Sequence, residues 1–380
     1  MKDAVLTYLR QHEGEMFALL ERFVRVDSGS YEKRGVDQMG DLLSEELSQL
    51  GFQIETIREE SCGNHLLAKR GGDGHGRLFL SCHLDTVTRP HQFSDGPFLL
   101  RGREAHGAGV ADMKGGVVQM LFALKALQAV GAKRLPSITI FATGDEELGS
   151  VRGRPYIERE GKVCNWALVV EPGRSDGSYV SERWSLAVYY LTIHGFAVHM
   201  GDPQQKGINA NLDLAHKIIA LEGLTDEEKG VKVGVNLIQG GISRQTVAPT
   251  ATAHIDVRAR TQPLMDELIP KVEAICRTTY IPGVEMTLTG GVTRPAMEKH
   301  AATEQLFQLV TEVGQEVGIE VKSAATRGGG DGSFVAQLGV PTIDGMGPIG
   351  HHSCTTREYI EIESCVPRTA VIALTIARLS

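Results

Sequence analysis

The sequence predicts a two-domain α/β chain in which a layered α/β domain is interrupted by a smaller α+β unit. Its 380 residues exceed what one ordinary hydrophobic core holds, so more than one domain is expected. Up to about residue 184, helical patterns alternate with short apolar runs, the pattern of helices covering a largely parallel sheet. From 185 to 295 the order becomes β-α-β-β-α-β, that of a ferredoxin-like unit. From 296 to 380 the first texture returns. The larger domain is therefore discontinuous, 1–184 with 296–380, and 185–295 is an insert.

The elements follow in order. "MKDAVLTYLRQHEGEMFALLERF" spaces its apolar residues as an amphipathic helix, and residues 34–50 do the same up to Gly51. "FQIETI", "HLLAKR" and "GRLFLS" read as strands, "MKGGVVQMLFALKALQAV" as a helix, and "SITIFAT" and "NWALVV" as buried strands. In the insert, "SLAVYYLTIHG", "KVGVNLIQGG", "TATAHIDVRAR" and "VEMTLTGG" are strands. "INANLDLAHKIIALEGL" and "PLMDELIPKVEAICRTTY" are its helices. The last part gives the helix "TEQLFQLVTEVGQEVG", the strands "VKSAAT" and "PTIDGMG" around the loop "RGGGDGS", and the helix "PRTAVIALTIARL".

Composition excludes several classes. Hydrophobic residues make up 42% and charged residues 23%, a soluble globular balance. The net charge is −8 with no basic run, which argues against nucleic acid as a partner. No apolar stretch has the length of a membrane span, and the charged N-terminal helix is not a secretory leader. Six scattered cysteines form no CxxC pair, so a reduced cytoplasmic protein is expected.

Acids and histidines collect where strands end. His83 and Asp85 follow "GRLFL", and alternation along a strand puts them on one side. Asp112 precedes a helix, Asp145, Glu146 and Glu147 follow "SITIFAT", Glu171 follows "ALVV", and His351 and His352 lie in a late loop. Alone, each is ordinary: Asp112 as a helix cap, the acids as a solvated turn, the histidines as an exposed loop. Together they match hydrolysis at two metal ions. Such a site needs terminal ligands on each ion, a bridging carboxylate, and one acid left over as general base. Either Glu146 or Glu147 can ligate while its neighbour faces the water. Asp85 is then the carboxylate that fixes the His83 tautomer.

The stretches "SCHLDTV", "GAGVADMKGG", "GDEELGS", "VVEPG", "IHGFAVHMGDPQQKGINA", "RGGGDGSFVAQLGVP" and "GHHSCTTREY" resemble one known family. It comprises the di-zinc aminoacylases, succinyl-diaminopimelate desuccinylases and glutamate carboxypeptidases, and "TRPAME" points to the last branch. The resemblance implies a di-zinc exopeptidase-type catalytic domain with a mixed sheet. It implies that the insert is a dimerisation or lid domain, giving a homodimer through 185–295. By position it makes Asp112 the bridge, with a cis bond to Met113. It makes His83 and Glu171 ligands of one zinc, Glu147 and His352 those of the other, and Glu146 the base. His199 would help hold the oxyanion in the neighbouring subunit's site. Arg294 would grip the substrate's free carboxylate, and Asn209 lies in the matching "GINA" stretch. The implied reaction releases a C-terminal amino acid from a short peptide or N-acyl amino acid, by water held between two zinc ions. Cobalt or manganese would also suit the carboxylate-rich site.

The chain departs from the family pattern at Gly107-Ala108-Gly109, where a proline is usual in the middle, and at Gln245, where an asparagine is usual. The choice of His352 over His351 rests on the "HS" match. No GxSxG elbow supports a serine hydrolase, and "GAGVAD" lacks the third glycine of a dinucleotide loop. The enzyme alternative is an N-acyl-amino acid deacylase. The non-enzyme alternative is a silent binding protein of the same fold, which would be expected to have lost the base or a ligand.

Overall fold

The computed structural model describes residues 1–379 and divides into two compact units. One comprises Met1–Glu182, Lys299–Ala325 and the stretch from Gly330 onward; the other comprises Arg183–Glu298 with Thr326–Gly329. The segment Thr326–Gly329 thus goes with the insert, although its sequence lies within the returning α/β texture.

In the larger unit, six strands lie side by side in the order Gln53–Ile57, His65–Arg70, Ser137–Thr143, Arg77–His83, Trp166–Val169, Thr342–Ile343. The first strand is antiparallel to the second, and the second to the third; all other pairings are parallel. The sheet is therefore mixed. Its parallel part is built from the runs "LFLSC", "IFAT" and "ALVV", which are apolar on both faces because helices cover both sides. Helices Gly115–Ala129 and Ile362–Arg378 share this core, and the first is buried almost all round. The N-terminal stretch forms two helices, Lys2–Gln11 and Glu13–Val24, where one was expected. His12 breaks the run at φ −109°, ψ 16°, with its Nδ1 2.8 Å from the Tyr8 carbonyl oxygen. The ring thus takes up a main-chain carbonyl at the helix end.

A second sheet escaped the sequence reading. Gly350–His351, Tyr359–Glu361, Glu104–Gly107 and Phe98–Arg101 pair antiparallel in that order. Strands of two to four residues are too short to show a period. This sheet holds the loops that carry Asp112 and His352.

The inserted unit has the sheet order Val231–Gly240, Thr250–Ala259, Ser185–His194, Glu285–Arg294, antiparallel throughout. In sequence terms this is 2-3-1-4, the ferredoxin-like arrangement. Ser185–His194 alternates strictly, and its inward residues Ala187, Tyr189, Leu191 and Ile193 form a core with Leu214 of helix Ala210–Glu222 and Met265 and Val272 of helix Gln262–Arg277.

Candidate metal centre

Three neighbouring parallel strands deliver the site. Arg77–His83 ends in His83; Ser137–Thr143 runs on into Asp145, Glu146 and Glu147; Trp166–Val169 runs on into Glu171. Their carboxyl ends form the crevice where open α/β sheets bind ligands. Asp112 reaches the same place from the turn before helix Gly115–Ala129, and the Asp112–Met113 peptide is cis. That helix begins hard against the strand end: a Cβ on Gly116 would come 1.7 Å from the Val170 carbonyl oxygen. Only glycine lets Asp112 and Glu171 approach so closely.

Two donor groups are arranged about Asp112. On one side His83 Nε2 is 3.1 Å from Asp112 Oδ1 and 3.5 Å from Glu171 Oε1. On the other, Cys354 Sγ is 3.3 Å from Asp112 Oδ2 and 3.9 Å from Glu147 Oε1. Ligand atoms of His83, Asp112 and Glu147 lie within 4.8 Å of one another. Zinc–nitrogen and zinc–oxygen bonds of about 2.0–2.2 Å at tetrahedral angles put ligand atoms about 3.4 Å apart. The His83–Asp112–Glu171 spacing fits, and each oxygen of Asp112 faces a different donor group, as a bridge requires. Imidazole and carboxylate donors suit zinc and related divalent ions.

The electrostatics call for a cation. Burial opposes protonation of His83, yet Glu171, then Asp112 and Asp85, hold its pKa well above the usual imidazole value. Burial, reinforced by repulsion from Asp112, pushes Glu147 up to about 9 and Glu171 well above the carboxylate range. Burial also acts on Asp112, but its bond to His83 carries it below that range. Several buried carboxylates share one imidazole, and divalent ions would relieve that repulsion.

Asp85 works differently from the expectation. His83 Nδ1 donates to the main-chain carbonyl of Asp85 at 2.8 Å, while the Asp85 carboxylate is 3.6 Å away. That bond fixes the tautomer and turns the Nε2 lone pair toward Asp112. The carboxylate instead accepts the main-chain N–H groups of Glu146 and Glu147, each at 3.1 Å. It therefore holds the turn that presents the two glutamates. Glu146 is half-buried at the start of that turn.

The structure does not bring His352 into the donor group. His352 at φ +53° and Cys354 at φ +64° are both exposed, and of the two it is the Cys354 Sγ that lies beside Asp112 and Glu147. His351 is held by Glu361 at 2.9 Å and stacks on Tyr359. Of the remaining sequence candidates, His199, Asn209 and Arg294 all belong to the inserted unit. His199 is exposed, and its Nδ1 accepts the Gly201 N–H at 3.1 Å, leaving Nε2 as a donor. Its neighbour Met200 donates to the Gln245 carbonyl, so Gln245 fixes this loop through its main chain. Asn209, a substrate-binding candidate, caps helix Ala210–Glu222, its Oδ1 accepting from Asn211 N and Leu212 N. Arg294 is buried at the end of its strand with its side chain under Gly329.

Two residues went unremarked in the sequence. Glu358 accepts N–H bonds from Gly109, Ala111 and Asp112 and so shapes the bridge turn; burial, then Asp112, pushes it up to about 8. His65, buried in the adjoining strand, accepts the Gly144 N–H at 2.9 Å, just before the acidic turn. Glu358 follows the paired histidines as the only acid of its loop, the one signal that could have found it.

Comparisons agree with this architecture. The profile of peptidase family M20/M25/M40 matches residues 79–378. Carboxypeptidase G2 of Pseudomonas sp. (strain RS-16) is 28% identical over 363 residues, 93% of this chain and 86% of that one. A tripeptidase structure from Staphylococcus aureus superposes with a TM-score of 0.83 at 19% identity, covering 96% of this chain and 99% of that one. A dinuclear metal-binding peptidase structure from Bacillus subtilis gives 0.68 at 12% identity, covering 97% and 98%.

Proposed function

The chain belongs to peptidase family M20/M25/M40 and is a metal-dependent hydrolase, and from that premise we propose that it is a carboxypeptidase of the glutamate carboxypeptidase type. Its substrates are short peptides or N-acyl amino acids with a free carboxylate, and its metal complement is two zinc ions. The observation that carries the reading is the placing of Asp112, whose Oδ1 is 3.1 Å from His83 Nε2 and which clusters with His83 and Glu147, their ligand atoms within 4.8 Å of one another. His83 and Glu171 would hold one ion, Glu147 part of the other's shell, and Asp112 both. The chemistry supplied by ions bound there is acidification of a water and polarisation of the scissile carbonyl. Glu146 takes the proton from that water and passes it to the departing nitrogen, so that a carboxylic acid and an amine leave. Asp85 keeps Glu146 in place through its main-chain bond. Arg294 supplies a fork for the substrate carboxylate, and His199 Nε2 a hydrogen bond to the developing oxyanion in a second copy.

The pairing of two chains is supported by the inserted unit's edge. Strand Val231–Gly240 has a neighbour on one side only and exposes Leu237 and Ile238; Leu212 and Ile219 stand exposed on helix Ala210–Glu222. Unpaired cysteines support a cytoplasmic setting, and no helix among the described residues is long and apolar enough to cross a membrane.

Metal analysis together with hydrolysis of N-acyl-glutamates, dipeptides and N-acetyl amino acids tests the reading. Two ions per chain are expected, with N-acyl-glutamates cleaved fastest and chelation abolishing turnover. Glu146→Gln should keep both ions and lose about 10²–10⁴-fold in rate, while Glu147→Gln should weaken metal binding. Preference for N-acetyl amino acids would make the enzyme a deacylase, and activity that survives full chelation would sink the metal reading.

A further inference from the structure

We propose that Asp331 is a positioning residue for the metal centre: its carboxylate ties the entry of the acidic turn to its exit and so sets where Glu146 and Glu147 stand. The proposal rests on the two-metal reading above and names what fixes the general base and the ligand beside it. Asp331 lies in the loop "RGGGDGS", whose role the motif alone leaves open.

Three observations carry it. First, Thr143 ends the strand that runs into the turn, and its Oγ1 donates to Asp331 Oδ2 at 2.8 Å. Ser150 follows the turn, and its Oγ donates to Asp331 Oδ1. One carboxylate thus bonds both feet of the segment that presents the two glutamates. Second, all three side chains are buried, Thr143 and Ser150 completely and Asp331 at 3% exposure. Bonds to an ionised acceptor out of contact with water are the strong ones. Third, Ser150 sits at φ +51°, a region that a serine holds only where its surroundings determine it. Its N–H goes to the Asp145 carbonyl at 2.8 Å and its hydroxyl to Asp331. Asp331 is itself held close to the sheet: a Cβ on the following Gly332 would come 2.9 Å from Val169 Cγ2, at the end of the strand that runs on to Glu171. All of these residues belong to the larger unit.

Two buried acids therefore hold one turn, and the chemistry of their partners separates them. Asp85 faces the main-chain N–H groups of Glu146 and Glu147, which only donate. Asp331 faces two hydroxyls, which donate or accept according to how the hydroxyl hydrogen rotates. In Asp331→Asn both contacts survive, the amide oxygen accepting from one hydroxyl and the NH₂ donating to the other. In Asp331→Ala both are lost, and the feet of the turn part. Glu146 then leaves the place where it takes the proton from water, and Glu147 the place where it ligates. Binding of the substrate carboxylate, which the reading assigns to Arg294, is untouched.

Steady-state kinetics on an N-acyl-glutamate, together with zinc competition against a chelator, provide the test, both expressed per folded chain. Asp331→Ala should lower kcat by about 10–100-fold and weaken the less tightly held zinc by a similar factor, the range for groups that orient the ligands of a metal site. KM should stay within about threefold of wild type, because the interaction lost serves the transition state. Asp331→Asn should recover most of the rate and of the zinc affinity. Ser150→Ala should show the same pattern in smaller measure. The double variant Ser150→Ala/Asp331→Ala should be no slower than Asp331→Ala alone, since both remove the same bond. Wild-type kcat and zinc affinity in Asp331→Ala overturn the proposal, and so do losses that multiply in the double variant. Should Asp331→Ala not fold, Ser150→Ala decides in the same way: wild-type turnover and zinc affinity there overturn it. If the wild type cleaves no N-acyl-glutamate, the proposed substrate fails and the zinc competition still decides on Asp331. A chain that takes up no metal overturns both.

Discussion

Asp85→Asn separates the two ways this residue could serve the site. The carboxylate accepts the N–H groups of Glu146 and Glu147, one on each oxygen, and is fully buried. An asparagine keeps one acceptor and turns an NH₂ group toward the other N–H. One hydrogen bond to a charged group is lost, worth about 1.5–3 kcal/mol, and a buried donor is left unmatched at a cost of about 1–3 kcal/mol. Part of this relaxes by movement of the turn, so about 2–4 kcal/mol should reach the presentation of Glu146. If all of it falls on the transition state, kcat/KM drops roughly 30- to 1,000-fold. The imidazole of His83 keeps its bond to the Asp85 carbonyl, which the substitution does not touch. At least one ion per chain should therefore remain. Steady-state kinetics on an N-acyl-glutamate and elemental analysis of the same sample decide the matter. A rate within threefold of wild type refutes the role of the carboxylate in holding the turn. Loss of all metal would show that the carboxylate, not the carbonyl, orients His83.

Other outcomes follow from the same structure. Mixing inactive His199→Ala chains with inactive Glu146→Gln chains should restore part of the activity, because a mixed dimer holds one complete site; a fully active monomer in sedimentation would end that assignment. Arg294→Ala should cost about 2–5 kcal/mol in kcat/KM on substrates with a free carboxylate and little on their amides; an unchanged acid-to-amide ratio would remove Arg294 from recognition. His65 is held at about 4, below the usual imidazole value, because burial disfavours its charged form. Between its unfolded pKa and that value the unfolded chain binds the extra proton. Stability is therefore complete above the unfolded pKa and lost as pH falls toward 4, by up to about 3 kcal/mol. Urea unfolding at several pH values should show a smaller loss in His65→Gln than in wild type, and equal losses would refute it.

Much of the fold was legible because its elements have the lengths at which periodicity speaks. The strands through Leu78–Leu80, Ile138–Ala142 and Ala167–Val170 are predominantly apolar runs, and the insert's Ser185–His194 alternates without a break. What the sequence hid was either short or local. The strands Gly350–His351 and Tyr359–Glu361 have no period to read, and the break at His12 comes from one imidazole meeting one carbonyl. The antiparallel flank of Gln53–Ile57 and His65–Arg70 also escaped the residue pattern, since a strand's own residues do not state the direction of its partner.

The site divides along the same line, and Asp85 and His352 show why. The proposed ligands His83, Glu147 and Glu171 could be read as neighbours because each lies at or just past a strand end, and the sheet fixes strand ends relative to one another. Asp85 was placed by strand alternation, but the strand stops at His83. Beyond it the period of two no longer holds, and the carbonyl rather than the carboxylate meets the ring. His352 was placed by its neighbour in sequence, yet a loop has no period at all. Its register follows from main-chain angles, φ +53° at His352 and +64° at Cys354, and from distant anchors at Glu358 and Glu361. Which side chain of this loop faces Asp112 is therefore a matter of loop register, a property that a motif match assumes and only side-chain positions report.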